Sequence, residues 1–450
     1  MKRLFGTDGV RGIANRDLAP ELAFRLAKLF GRIIRERQMG HGRVVIGKDT
    51  RLSGGMLESA ISAGLASQGV NAILAGIIPT PGLAFLTRTE GFNAGVMISA
   101  SHNPAEYNGI KFFSHDGFKL SNGEESKIER AFNGYEGIRF DELSGRSLGT
   151  VDRDQSLTPK YLECLKRVEN VPLDGLRVII DSANGATFSL APELFSHLGA
   201  ELVSVCDKPD GLNINAGCGS THLEKLQEEV ANHQADVGLA FDGDGDRLLA
   251  VDEKGQALDG DQIMLVAARS LARDGKLRNN LVVATVMSNY GLEEALREDN
   301  ISVRRTPVGD RYIVEEMIKC GAILGGEQSG HIIFLDHNTT GDGLITGVKL
   351  LSTLKRDGGR LSKLAALNLY PQVQINIRVN DSEGWKLLPG VQAALTEAER
   401  RIKGNGRIVV RASGTEPLIR LMVEGKETGL IEKVAMELAN SIRRAQTVNL

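Results

Sequence analysis

Apolar positions recur along this chain with two periods that alternate in a regular order. Leu22, Leu26, Leu29 and Ile33 fall at helical spacing and predict an amphipathic helix over Glu21 to Glu36. The unbroken run Val44-Val45-Ile46 then predicts a buried strand. A helix over Met56 to Ser67 and a strand over Ala72 to Ile78 repeat the alternation, which points to a parallel sheet covered by helices. The pattern returns with a helix over Leu157 to Val168, a strand over Leu176 to Ile180, a helix over Leu223 to His233 and a strand over Val237 to Phe241. It returns a third time with a strand over Leu281 to Val286, helices over Glu293 to Asp299 and Ile313 to Lys319, and an apolar run Ala322-Ile323-Leu324. Three consecutive α/β units with mixed, mostly parallel sheets are expected, with polar, glycine-rich loops at the strand ends where such sheets place ligands. The stretch Gly134 to Asp154 is polar and without period, and reads as a loop or linker.

The last part of the chain changes character. Val373 to Val379 alternates with period two, as a half-exposed antiparallel strand does, and is followed by a helix over Val391 to Ile402, strands over Arg407 to Arg411 and Leu418 to Glu424, and a helix over Leu430 to Arg444. This is a small α+β domain. The expected division is 1–153, 154–255, 256–368 and 369–450. A chain of 450 residues suggests about three or four domains on length alone.

Four loops carry chemistry. Gly95-Val96-Met97-Ile98-Ser99-Ala100-Ser101-His102-Asn103-Pro104 delivers Ser101 from a buried run to a polar turn, as a nucleophile, a phosphate carrier or the cap of a following helix. Asp242-Gly243-Asp244-Gly245-Asp246-Arg247 places three carboxylates at alternate positions, able to fold round one hard cation such as Mg²⁺ or Ca²⁺, or else to form a solvated acidic turn. Without a cation, three close acids would raise one another's pKa. Gly326-Glu327-Gln328-Ser329-Gly330-His331 offers the donors and acceptors that vicinal sugar hydroxyls need, or a loop with a structural histidine. Arg411-Ala412-Ser413-Gly414-Thr415-Glu416-Pro417-Leu418-Ile419-Arg420 has the parts of a phosphate nest, or is an ordinary hairpin turn. A phosphorylated sugar is the substrate that uses all four.

Three familiar spellings fail. Gly42 to Asp49 nearly spells a P-loop, but its middle is a strand and Asp49 stands where a hydroxyl is needed. Gly145-Arg146-Ser147-Leu148-Gly149 lacks the buried strand that a nucleophile elbow requires. The acidic loop is no EF-hand, since Arg247 occupies the glycine position and a strand, Leu248 to Val251, comes after it.

Composition narrows the partners. With 54 basic and 57 acidic side chains the net charge is −3, which argues against nucleic acid as the main partner. Cys164, Cys206, Cys218 and Cys320 form no C-x-x-C pair and no zinc spacing, so a reduced, cytoplasmic compartment is expected. Lys2 and Arg3 are followed at once by Gly6-Thr7-Asp8 rather than by the apolar core of a signal peptide. The most apolar window, Ala72 to Ile78, is too short to span a bilayer.

Ser99 to Pro104, Asp242 to Arg247, Gly326 to Gly330 and Arg411 to Thr415 resemble, in order, the four active-site signatures of the α-D-phosphohexomutases, and the resemblance covers the whole chain. It implies four domains round a central cleft, one signature from each. Ser101 would carry a phosphoryl group, donated to a sugar phosphate to give a hexose 1,6-bisphosphate and recovered from its other end. Mg²⁺ would sit among Ser101, Asp242, Asp244 and Asp246, with Arg247 and Arg11 adding positive charge. Lys111 and His331 match positions proposed in relatives for proton transfer; a neutral lysine there would need a depressed pKa. Glu327 and Ser329 would grip sugar hydroxyls, and Arg411, Ser413, Gly414, Thr415 and Arg420 the unreacting phosphate. Phe5 to Gly12, Gln328 and Val308-Gly309-Asp310-Arg311-Tyr312 look like the amino-sugar branch of the family, with glucose or mannose phosphate as the alternative substrate. Relatives also suggest a homodimer through the first domain. A sensor that only binds sugar phosphates and a metal-dependent phosphatase are the readings from other classes.

Overall fold

The computed structural model describes residues 4–6, 8–37, 41–379, 389–412 and 418–447. The chain forms two compact units, 1–285 with 304–366 and 286–303 with 367–450.

The first unit opens with a six-stranded sheet in the order Val10–Ile13, Tyr107–Ser114, Ala94–Ile98, Arg43–Lys48, Asn71–Ile77, Val151–Arg153. Its last four strands pair in parallel, while Tyr107–Ser114 runs antiparallel to both neighbours. The sheet is therefore mixed and mostly parallel, as expected. Helix Pro20–Glu36 starts on a proline, whose missing N–H costs nothing at a helix N-terminus. It buries Leu26 and Phe30 in a core shared with Val44, Ile46, Val96 and Ile98, while Leu22 and Ile33 pack at its margin. The polar stretch 134–154 is not a free linker: Val151–Arg153 closes the sheet edge beside Asn71–Ile77, and two short 3-10 turns precede it. Three residues on an exposed edge bury nothing, so no apolar period marks them.

A five-stranded sheet comes next, ordered Ala257–Leu258, Leu248–Asp252, Val237–Phe241, Arg177–Asp181, Glu201–Val205. Beyond it, Leu281–Thr285 pairs in parallel with Leu324–Gly326, which pairs antiparallel with Ile332–Phe334. Helix Gly343–Asp357, buried nearly all round, runs across this part of the unit. Its capping Asp342 accepts the Ile345 amide at 3.0 Å and the Tyr161 hydroxyl at 2.7 Å.

In the second unit, Leu418–Gly425 lies between Gln372–Arg378 and Gly406–Ala412, antiparallel to both. Helices Pro389–Ile402 and Thr428–Thr447 supply the rest of its own core. The expected strands and helices there all form.

Candidate active site

Ser101 sits just past the buried strand Ala94–Ile98. The chain then makes a turn and enters the strand Tyr107–Ser114, so the helix-cap alternative falls. The residue holds φ at +53°, a left-handed conformation that costs a side-chain-bearing residue about 1–2 kcal/mol. Neighbours hold it there. Its N–H donates to Ser99 Oγ at 2.9 Å, and that hydroxyl donates to Asp49 at 2.7 Å. Arg51, fully buried, donates to the carbonyls of Ser101 (2.9 Å), Asn103 (2.7 Å), Tyr107 (3.0 Å) and Pro104 while its Nε meets Asp49. Asn215 donates to the carbonyls of Ser101 and Asn103, both at 3.0 Å. The Ser101 hydroxyl is left pointing at Asp242, to which it donates at 2.6 Å.

The acidic loop is a hairpin turn. Phe241 pairs with Leu248 across antiparallel strands, so residues 242–247 make the connection. Two glycines permit its path: a Cβ on Gly243 would stand 2.6 Å from the Ser101 carbonyl oxygen, and Gly245 has φ +69°. Asp242, Asp244 and Asp246 are all buried, each offering an oxygen within 4.8 Å of the others. Burial, with Asp246 and Asp244 adding, pushes the Asp242 carboxyl well above its ordinary range. The other two depart from the expected mutual repulsion. Burial and Asp246 push Asp244 up, but Lys111 at 2.8 Å and the Thr80 hydroxyl at 2.6 Å outweigh them and leave it lowered. Asp246 is lowered too: burial pushes it up, but the hydrogen bond from His331 and the charges of Lys111 and Arg247 override that. Yet Asp244 Oδ1 and Asp246 Oδ1 are buried with no hydrogen-bond partner. Buried oxygens without donors are costly unless something electropositive meets them, and a set of three carboxylates fits a hard divalent cation.

Round this triad stand cations in direct contact with acids. Lys111 Nζ lies 2.8 Å from Asp244, 3.0 Å from Asp8 and 3.9 Å from Asp246. Burial would depress its pKa, but Asp244 and Asp8 more than reverse that and favour the ammonium form, against the depressed pKa that a neutral base would need. Arg11 pairs with Asp8 and reaches the Ala100 carbonyl at 3.5 Å. Lys119 bridges Asp8 and Asp310. The Arg247 amide donates to Asp242 at 3.2 Å, and its Nε is 3.7 Å from Asp246. His331 Nδ1 is 3.6 Å from Asp246, while its Nε2 accepts the Gly341 amide at 3.1 Å. Asp246 and Asp310 raise the affinity of the ring for a second proton against its burial. A proton on Nε2 would collide with the Gly341 N–H, however, so the geometry holds the neutral tautomer with its proton on Nδ1. Glu327 accepts the Gly309 amide at 3.1 Å and the Ser329 hydroxyl at 3.3 Å, which places both on one turn between Leu324–Gly326 and Ile332–Phe334.

The structure thus brings together Ser101, Lys111, Arg11, Asp242, Asp244, Asp246, Arg247 and His331, with Glu327 within electrostatic reach of Arg247. In the second unit, Arg411 and Arg420 face one another directly across the hairpin. Ser413, Gly414 and Thr415 lie outside the described residues. Five participants were not singled out from the sequence: Asp8, Arg51, Thr80, Lys119 and Asn215. Asp8 and Arg51 stand in charged, glycine-flanked loops that could have drawn attention to them, whereas nothing local marks Thr80, Lys119 or Asn215. The rejected spellings stay rejected: Val44 to Ile46 is strand, Ser147 lies in an exposed 3-10 turn, and Leu248–Asp252 is a strand.

Comparison with known proteins agrees part by part. Residues 2–138, 159–255 and 259–370 match alpha/beta/alpha domains I, II and III described for phosphoglucomutase/phosphomannomutase, and residues 375–441 match the C-terminal domain of that family. The fold is the four-domain α/β architecture of the phosphohexomutases. A solved phosphoglucomutase/phosphomannomutase family protein from Burkholderia thailandensis is 26% identical with a TM-score of 0.84, covering 99% of this chain and 98% of that one. An Aspergillus fumigatus N-acetylphosphoglucosamine mutase, solved with GlcNAc-6P and magnesium, shares the fold at 18% identity and a TM-score of 0.66, over 98% of this chain and 96% of its own. A phosphoglucosamine mutase from Thermoanaerobacter sp. strain X514 is 52% identical over 447 residues, 99% of each chain. The chain belongs to the α-D-phosphohexomutase family, among its phosphoglucosamine mutases.

Proposed function

We propose that this protein interconverts glucosamine 6-phosphate and glucosamine 1-phosphate through a phosphoserine at Ser101 and a 1,6-bisphosphate, on the route to UDP-N-acetylglucosamine. The observation that carries the reading is the strained, buried Ser101 held with its hydroxyl 2.6 Å from one of three carboxylates, two of which keep an oxygen without a hydrogen-bond partner. A helix cap or a binding-only site has no use for that arrangement.

The phosphoryl group leaves Ser101 Oγ for the free sugar hydroxyl: one O–P bond breaks, one forms, and the hydroxyl proton is released. The serine oxygen then takes the phosphoryl group from the other end of the bisphosphate. Asp242, Asp244 and Asp246, with a phosphate oxygen on Ser101, would hold Mg²⁺, which when bound supplies positive charge beside the phosphoryl oxygens. Arg11 and Arg247 add fixed positive charge. Lys111 enters as an ammonium, so it can give a proton to the departing Ser101 oxygen, and can accept one from the sugar only afterwards. His331 carries its proton toward Asp246 and fixes that carboxylate. Glu327 and Ser329 bind sugar hydroxyls; Arg411 and Arg420, with Ser413, Gly414 and Thr415, bind the unreacting phosphate. The proposal includes domain boundaries near 153, 255 and 369, a homodimer through the first domain and a cytoplasmic location.

The test is kcat/KM for the glucosamine, glucose and mannose 1-phosphates side by side. The glucosamine compound should lead clearly; a preference for the mannose compound would transfer the reading to a phosphomannomutase. Ser101→Ala should abolish interconversion, and near-full activity in that variant would sink the phosphoserine route.

A further inference from the structure

Away from the Ser101 cluster lies a second reactive group that no step above uses. Cys206 comes after the strand Glu201–Val205, and Cys218 precedes the short turn Gly219–Thr221. Their sulfurs and a carboxylate oxygen of Asp181 lie within 4.8 Å of one another, although twelve positions separate the two cysteines and no motif announces them. Cys218 is buried and Cys206 half-buried. Lys225 Nζ is 3.4 Å from Cys206 Sγ. Both Asp181 oxygens are already engaged, accepting the amides of Ala183 and Gly219 at 2.8 Å each. An ammonium against the outer thiol and a carboxylate committed to amides disfavour a cation here. They suit instead an accessible thiolate beside a resolving thiol. Contact with the Cys218 thiol, with Lys225 adding, lowers the Cys206 pKa, and the same contact with burial raises that of Cys218.

The segment between the two cysteines reaches the reaction site. Asn215 donates to the Ser101 and Asn103 carbonyls, its own amide is tied to Ala183 at 2.9 Å, and Gly211 accepts the Leu52 amide at 2.9 Å. Asn215 itself holds φ at +58°, so its placement depends on the path of the segment.

We propose that Cys206 and Cys218 are a hydroperoxide-sensitive thiol pair whose disulfide draws in the ends of segment 207–217, shifts Asn215 from the Ser101 turn and lowers turnover. The Cys206 thiolate attacks one peroxide oxygen; an S–O bond forms, the O–O bond breaks, and the departing oxygen takes a proton. Cys218 then attacks the sulfenic sulfur, an S–S bond forms and water leaves. The two sulfurs lose the electron pair that the peroxide gains, and a small dithiol reverses the change.

The experiment treats the full-length reduced protein with hydrogen peroxide, maps disulfides by mass spectrometry of the unreduced digest, tracks amide exchange at residues 101–104, and assays the mutase. The expected result is a linked Cys206–Cys218 peptide, faster exchange at the Ser101 turn, and a several-fold fall in activity that dithiothreitol restores. Cys206→Ser should keep its starting activity through the same treatment, whereas Cys164→Ser should be inactivated like the parent. Asn215→Ala, fully reduced, should reproduce the low activity without peroxide. Absence of the linked peptide, a linked peptide with unchanged exchange and activity, or a zinc ion retained with both thiols unreactive would each overturn the inference. The activity readout rests on the proposed reaction, but the peptide and exchange readouts do not. A reduced protein without mutase turnover therefore condemns that reading alone.

Discussion

At the scale of the residue, the site is made by groups that hold other groups in place. Arg51 is the clearest case. Its guanidinium serves four carbonyls of the Ser101 loop and one carboxylate, all out of water. Lysine has the charge but neither the planar fork nor enough donors, so Arg51→Lys leaves buried acceptors bare. It should cost about 3 kcal/mol or more in urea unfolding. It should also lower kcat more than it raises KM, since it loosens Ser101 without touching sugar. His102 offers a pH test. Burial, with Arg247 and Arg11 adding, pushes its imidazole from 6.5 down to about 4. Between those values the unfolded chain binds the proton and the folded one does not. Stability is thus fully present above about pH 6.5 and falls as pH drops toward 4. His102→Gln should flatten the slope of Tm against pH over that window; an unchanged slope would mean that His102 titrates normally.

At the scale of the element, most of the fold was legible wherever one face is buried and the other wet. Helix Pro20–Glu36 and the C-terminal strands show their period plainly. Tyr107–Ser114 does not, because Asn108, Gly109 and Lys111 occupy buried positions for the sake of the site and break the apolar run. Helix Gly343–Asp357 is buried nearly all round and so has no stripe to read. The catalytic loops were legible because each clusters its chemistry within a few residues. Cys206 with Cys218, and Lys119 with Asp8 and Asp310, are assembled only by the fold. Two glycines test how far a loop's path depends on a missing side chain. Gly243→Ala would drive a methyl group to 2.6 Å from the Ser101 carbonyl, a backbone atom that other bonds hold still. It should destabilise by about 1–3 kcal/mol and cut activity sharply. Gly55→Ala, with nothing within 4 Å in the helix Gly54–Ala66, should stabilise by about 0.5–1 kcal/mol and leave activity alone. Equal effects at both positions would show that Gly243 is not a steric requirement.

At the scale of the whole molecule, charge near Ser101 is nearly balanced though the components are many. Asp8, Asp242, Asp244, Asp246 and Asp310 face Arg11, Lys111, Lys119 and Arg247, all gathered in the first unit from sequence positions 8 to 310. The balance explains why Asp244 and Asp246 stay ionised while Asp242 is pushed toward its neutral form. A divalent cation meeting the two oxygens that lack hydrogen-bond partners tips that balance and opposes the push on Asp242, so it should favour the folded first unit. At a hundred times its dissociation constant, Mg²⁺ should add about 2.7 kcal/mol to stability, and chelation should remove it. Hydrogen exchange places the effect: protection should rise at residues 101–104 and 242–247 and stay unchanged in the separate sheet of Gln372–Arg378, Gly406–Ala412 and Leu418–Gly425. Asp246→Asn keeps the size of the side chain and removes a charge, so it should abolish the Mg²⁺ shift while the metal-free protein still folds. If that variant gained as much from Mg²⁺ as the parent, the cation would be acting elsewhere on the surface, and the triad would lose its claim to it.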